Sequence, residues 1–172
     1  MDDMLMVLDP TGGVTGVTTE LAERPRSFAG LVVGYLDNGK PNSDRFLELL
    51  DQQLTGQGAR GVLWAHKTST GKLADADTIA ELAQSCDVVV TGVGDCAGCC
   101  SCTVQDGIAL ERLGTPTYVV CTTEMLTTAK IAATAAGAPG YPFTVIEHPL
   151  GSLTADLLAE RAADAVKQVL AD

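Results

Sequence analysis

Five short apolar, β-branched runs punctuate the chain: LVVGYL (31–36), GVLWA (61–65), DVVVTG (87–92), TYVVC (117–121) and FTVIE (143–147). Each gives way to a polar or glycine-rich break. Within each run the hydrophobicity is continuous rather than alternating, which predicts strands buried on both faces. Between them lie stretches with helical spacing. NSDRFLELLDQQL (42–54) sets Phe46, Leu47, Leu49, Leu50 and Leu54 at helical intervals, and DADTIAELAQS (75–85) and CTVQDGIALERLG (102–114) run to polar or glycine stops. EMLTTAKIAATAAG (124–137) and TADLLAERAADAVKQVLA (154–171) complete the series. Strand and helix alternate five times, so the expected fold is a three-layer α/β/α domain around a mainly parallel five-stranded sheet.

Residues 31–172 are read as that single domain. Residues 1–30 break the pattern: MLMVLDP (4–10) suits a short extra strand, and TGGVTGVTTELAERPRS (11–27) reads as a loop or arm with little core of its own. In the flavodoxin-like strand order the first and third strands are neighbours, and the loops leaving their carboxyl ends open a crevice. That order would place DNGKPN (37–42) opposite GDCAGCCSC (94–102).

Composition narrows the function. With 172 residues, 46% of them apolar, the chain fills one domain and leaves a second cramped. A net charge of −11 repels nucleic acid, and no basic run with interleaved aromatics offsets it. No apolar run approaches the roughly 20 residues of a membrane span. Asp2 and Asp3 stand where a secretory signal carries basic residues, so a cytoplasmic protein is expected.

Four of the six cysteines, Cys96, Cys99, Cys100 and Cys102, lie within seven residues directly after the third predicted strand. A reducing cytosol argues against a structural disulfide framework and for thiol or metal chemistry. Cys96 and Cys99 form a CxxC pair in which one sulfur can attack and the other resolve the adduct as a disulfide. The following helix, capped by Ser101 or Thr103, presents unpaired N–H groups and its dipole, which favour a thiolate. In the competing reading the four clustered thiolates hold copper, zinc or iron. The C-S-C run ending at Cys102 resembles the CxxCSC claw of nitrile hydratases, but that spacing needs a cysteine where Ala97 stands. Cys86 and Cys121, at strand ends, read as small core residues.

Two glycine motifs fail as nucleotide sites. GYLDNGKP (34–41) has Pro41 where a phosphate loop needs Ser or Thr, and GVGDCAG (92–98) has its third glycine one residue late and an acid, Asp95, inside the turn. His148, in EHPLG (147–151), leaves the last strand at the end where sites in this architecture gather, and is a candidate proton donor or base. His66, in WAHKTSTGK (64–72), reads as a packed or surface imidazole. Asp95 is a candidate for tuning the thiols, and Asn38, Lys40, Asn42 and Lys67 are candidates for holding an anionic substrate.

VVVTGVGDCAGCCSCTVQDGIALERLGTPTYVVCTTEM (88–125), VVGYLDNGKPNSDRFLELL (32–50) and EHPLG occur in the order that resembles the UGSC-type proteins. These are relatives of the selenoprotein B component of glycine reductase, and some members begin a U-G-S-C motif with selenocysteine. On this resemblance, which spans about residues 30–152, Cys96 stands at the selenocysteine position and Cys99 at the second cysteine, with Ala97 and Gly98 between them. It implies a nucleophile at Cys96. The family usually has a serine and an aromatic residue soon after the motif, whereas here Cys100 and Cys102 enrich the segment in sulfur and keep the metal reading open. The expected activity is a thiol-dependent redox enzyme acting on a small electrophilic substrate without an organic cofactor. A small dithiol or thioredoxin-like protein would restore it, and a homodimer or a partner reductase subunit would suit the arm at residues 1–30.

Overall fold

Valine-rich runs such as Val88–Val90 have no polar face to offer water, so they are stable only between two layers of helix. The computed structural model describes residues 18–60 and 62–172 and has this arrangement. The order is β1 (Val33–Asp37), α1 (Ser43–Gly56), β2 (Val62–His66), α2 (Ala76–Ser85), β3 (Val88–Gly94) and α3 (Ala97–Arg112). It continues with β4 (Thr117–Thr122), a 3-10 turn (Thr123–Met125), α4 (Leu126–Ala135), β5 (Phe143–Ile146) and α5 (Ala155–Ala171). All strand pairs are parallel, in the order β2-β1-β3-β4-β5. This is the flavodoxin-like order, with its switch point between β1 and β3.

Helices α1 and α5 cover one face over Val33, Tyr35, Val88, Val90 and Ile146, while α2, α3 and α4 cover the other over Leu36, Val89 and Val119. Val88, Val89 and Val90 are fully buried, alternating between the two layers, and each contributes about 1.5–3 kcal/mol. Helix α3 lies close on β4 because Gly107 has no side chain: a Cβ there would meet the Val119 side chain at 2.3 Å.

The later part of the expected arm packs on this domain. Thr19 N–H donates to Gly137 O at 2.8 Å, and Arg24 pairs with the buried Glu111 at 2.7 Å while lying over the rings of Tyr118 and Tyr141. Phe28 joins the core beside Tyr118. The strand expected at residues 4–10 falls outside the described residues. Among the described residues no helix is long and apolar enough to cross a membrane.

Candidate functional site

The loops leaving β1, β3, β4 and β5 meet at the carboxyl end of the sheet. Loop 37–42 does face the cysteine segment: Asn38 Nδ2 donates to Val93 O at 2.9 Å and to Thr103 Oγ1 at 3.0 Å. Asn42 sits in the left-handed region (φ 69°), which asparagine tolerates better than most residues, and its Nδ2 donates to Leu150 O and Leu153 O. Three loops are thereby tied into one unit.

The cysteines are not in a loop. Helix α3 starts at Ala97, so its cap is Cys96 rather than the expected Ser101 or Thr103. Cys96 and Cys99 stand in capping-box geometry: the Cys99 backbone N–H faces the Cys96 sulfur, and Cys96 N–H donates to Cys99 Sγ at 3.1 Å. Ser101 instead bonds back to Ala97 O inside the helix, and Thr103 is buried against Asn38. Sulfur has done here what an oxygen cap ordinarily does.

On α3 Cys96, Cys99 and Cys100 stand three and four residues apart along one side, while Cys102 lies about 160° around the axis from Cys100. Cys96 is half-buried at the cap, and Cys99 is buried beneath it, with its sulfur 3.2 Å from Cys96 O. Burial, then the hydrogen bond with Cys96, pushes the Cys99 thiol up to about 11. Cys100 turns away toward Met125 O and Cys121; burial, then Cys121, pushes it up to about 12. Its approach to β3 requires Gly94, where a Cβ would lie 2.9 Å from Cys100 Sγ. Cys121 is raised to about 12 by burial, and Cys86 to about 11 by burial and then Asp87 and Glu81. Cys102 is half-buried in the second turn of α3. Among the described residues no group of three or more His, Cys, Asp or Glu side chains is gathered as a metal ion would need. The four-thiolate donor set does not fit a metal in this arrangement.

Next to Cys96 stands a buried carboxylate. Asp95 Oδ1 accepts the Leu150 N–H at 3.0 Å and faces His148 Nδ1 at 3.0 Å, while Oδ2 accepts the Gly151 N–H at 3.3 Å and lies 3.7 Å from Lys40 Nζ. His148 Nδ1 also lies 3.1 Å from Thr122 Oγ1, whose own proton goes to Gly94 O. Both neighbours of Nδ1 therefore accept, so Nδ1 carries a proton and Nε2 of the neutral ring is the free base. A second pair of the same kind lies across the switch point. Asp37 faces His66 Nδ1 at 3.1 Å, accepts the Gly39 N–H at 3.0 Å and takes the Ser43 hydroxyl.

Cys96, Cys99, Asp95 and His148 thus share one end of the sheet, as the sequence suggests, and Lys40 joins them through Asp95. The other substrate-binding candidates have their polar heads engaged inside the protein. Asn38 and Asn42 hold loops together, and Lys67 is buried in an ion pair with Asp106 at 2.6 Å. That pair also receives the Ala74 N–H on Asp106 and fixes the segment after β2 against α3. Thr122 was missed by sequence reasoning. Its only signal is a hydroxyl at the last position of a buried strand, directly preceding a loop.

The UGSC family model matches residues 6–172. Among solved structures, a diflavin flavoprotein A3 from Nostoc sp. is similar, with 19% identity and a TM-score of 0.41 over 82% of this chain and 94% of that one. No curated protein matches the sequence significantly.

Proposed function

The chain belongs to the UGSC family, and we propose that it is a thiol-dependent redox enzyme in which Cys96 attacks a small electrophilic substrate and Cys99 resolves the adduct. The observation that carries this reading is the reciprocal cap: one accessible and one buried sulfur share the first turn of α3, beside the Asp95–His148 pair. Negative charge developing on the Cys96 sulfur is met by the Cys99 N–H and the amino end of the helix.

For a substrate R–S–X with an activated sulfur, the chemistry balances with the residues at hand. The Cys96 thiolate forms an S–S bond to the substrate sulfur as the S–X bond breaks, and X leaves with its electron pair. His148 Nε2 takes the proton from the Cys96 thiol and passes it to X, and Asp95 holds the imidazole in orientation. Cys99, deprotonated in turn, attacks the Cys96 sulfur, forms the Cys96–Cys99 disulfide and releases R–S⁻. The substrate has gained two electrons and the thiol pair has lost them. An external dithiol or thioredoxin-like protein then reduces the disulfide. The raised pKa of Cys99, about 11 through burial first, suits its later role, because it stays protonated until an adduct on Cys96 disturbs the cap that shields it.

Lys40 is the cation of this cleft and holds an anionic substituent of the substrate. The test is turnover of a small aromatic disulfide with excess dithiol. Wild-type protein should accelerate cleavage above the dithiol background, Cys96→Ser should abolish the acceleration, and Cys99→Ser should stop after one adduct. Equal rates in wild type and Cys96→Ser would end the proposal.

A further inference from the structure

A strand that already buries Val119 and Val120 could bury a valine at its last position with no polar group to satisfy, yet β4 ends on Thr122, which is fully buried. A buried hydroxyl needs a partner for its proton and for at least one lone pair. The sheet supplies the first. Between Thr91 and Gly94, β3 has one residue more than β4 has between Val119 and Cys121, and this register shift sets Gly94 opposite Cys121. In the slanted parallel ladder the Gly94 carbonyl then leans toward the residue after Cys121, and Thr122 Oγ1 donates to it at 3.3 Å. The hydroxyl lone pairs are left facing His148 Nδ1, 3.1 Å away.

The loop that carries His148 is fastened without this contact. The His148 backbone N–H donates to Thr123 Oγ1 at 3.2 Å, and Leu150 and Gly151 donate to Asp95. What those bonds leave free is the ring. One acceptor, Asp95 Oδ1 at 3.0 Å, engages Nδ1–H but lets the imidazole swing about that contact. A second acceptor on the same N–H, reaching in from β4 rather than β3, removes the swing and fixes where Nε2 points.

We propose that Thr122 is a positioning residue, which, resting on the thiol reading above, aims His148 Nε2 at the Cys96 proton. As Nε2 takes that proton the ring becomes an imidazolium, and Asp95 and Thr122 share its charged Nδ1–H. A charged donor strengthens both bonds, so the hydroxyl contributes most while the proton is in transit. No bond within Thr122 forms or breaks, and its own proton stays directed at Gly94 O.

The experiment measures turnover of a small aromatic disulfide, with excess dithiol, by wild-type protein, Thr122→Val, Thr122→Ser, His148→Ala, Cys96→Ser and the Thr122→Val, His148→Ala double variant. Valine keeps the shape and removes the hydroxyl. It is expected to lower kcat about 10-fold with KM changed less than about 2-fold, and serine, which keeps the hydroxyl, to stay within about 3-fold of wild type. In the His148→Ala background valine should cost nothing further, because the group it acts on is gone. Should Thr122→Val not fold, Thr122→Ala is read in the same way. A valine loss that persists undiminished beside His148→Ala, or no loss at all, would overturn the role of Thr122 and leave the thiol reading standing. Cys96→Ser turning over as fast as wild type would overturn both.

Discussion

The two carboxylate–histidine pairs at the carboxyl end of the sheet look alike at the level of contacts. Asp95 and Asp37 are both buried, both close the loop after a central strand, and each holds a histidine Nδ1 at 3.0–3.1 Å. Their surroundings differ. His148 is 34% exposed, is pinned a second time by Thr122, and its carboxylate directly precedes the helix-capping Cys96. His66 is 61% exposed, rests on Trp64, and its carboxylate precedes Asn38, whose amide is spent on Val93 and Thr103. The same pair is thus a way of fastening a loop in both places, and only in one does it adjoin a half-buried thiol at a helix cap. A carboxylate–histidine contact by itself is poor evidence for catalysis.

The largest expected effect is the loss of the nucleophile. Cys96→Ser should reduce turnover of a small disulfide to background while leaving thermal stability within about 1 kcal/mol, since serine caps helices at least as well. Alkaline pH comes next, because four buried thiols are raised, by burial first, to about 11 or 12. Between pH ~8.5, where unfolded thiols ionise, and pH 11 the unfolded chain has released protons that the folded chain keeps. Stability must therefore fall as pH rises through that window, by about 1.4 kcal/mol per pH unit for each thiol. Urea unfolding at pH 8 and pH 10 measures the fall, and Cys121→Ala should make it shallower.

Separating the two pairs requires matched variants. His148→Ala and Asp95→Asn should each slow turnover by roughly 10²–10⁴-fold. Asp95→Ala should also cost about 1–3 kcal/mol for each of the Leu150 and Gly151 N–H groups it strands. Asp37→Ala should cost stability by the same mechanism at Gly39, with turnover per folded molecule unchanged. His66→Ala is the smallest change, about 0.5 kcal/mol or less in stability and no loss of rate. A rate loss at Asp37 or His66 equal to that at Asp95 or His148 would erase the distinction between the pairs.

The architecture was legible because its five strands are continuous apolar runs, a pattern that only a doubly covered parallel sheet satisfies. The strand order needed the coordinates, since alternation alone does not say that β1 and β3 are neighbours. At the site, Asp95, Cys96 and His148 could be singled out because they leave the third and fifth strands, and Cys99 by its CxxC spacing to Cys96. The start of α3 could not: cap preferences name Ser, Thr, Asp and Asn, so the Cys96–Cys99 box was invisible to them and the cysteines read as a loop. A loop of four thiols resembles a metal cage, whereas on α3 the Cys99 sulfur is engaged by Cys96 O and Val93 O and the Cys100 sulfur by Met125 O. Lys67 failed for another reason. Its partner Asp106 is far away in sequence, and an unpaired-looking lysine cannot be told from a buried one until the fold brings them together.

The most direct measurement is a disulfide map. Reduced, anaerobically purified protein is treated with one equivalent of a small aromatic disulfide, blocked at acid pH, and mapped by peptide mass spectrometry. The account predicts two released aryl thiols per chain, a Cys96–Cys99 bond, and Cys86, Cys100 and Cys121 alkylated only after unfolding. A stable mixed disulfide on Cys102 with Cys96 left reduced would contradict it.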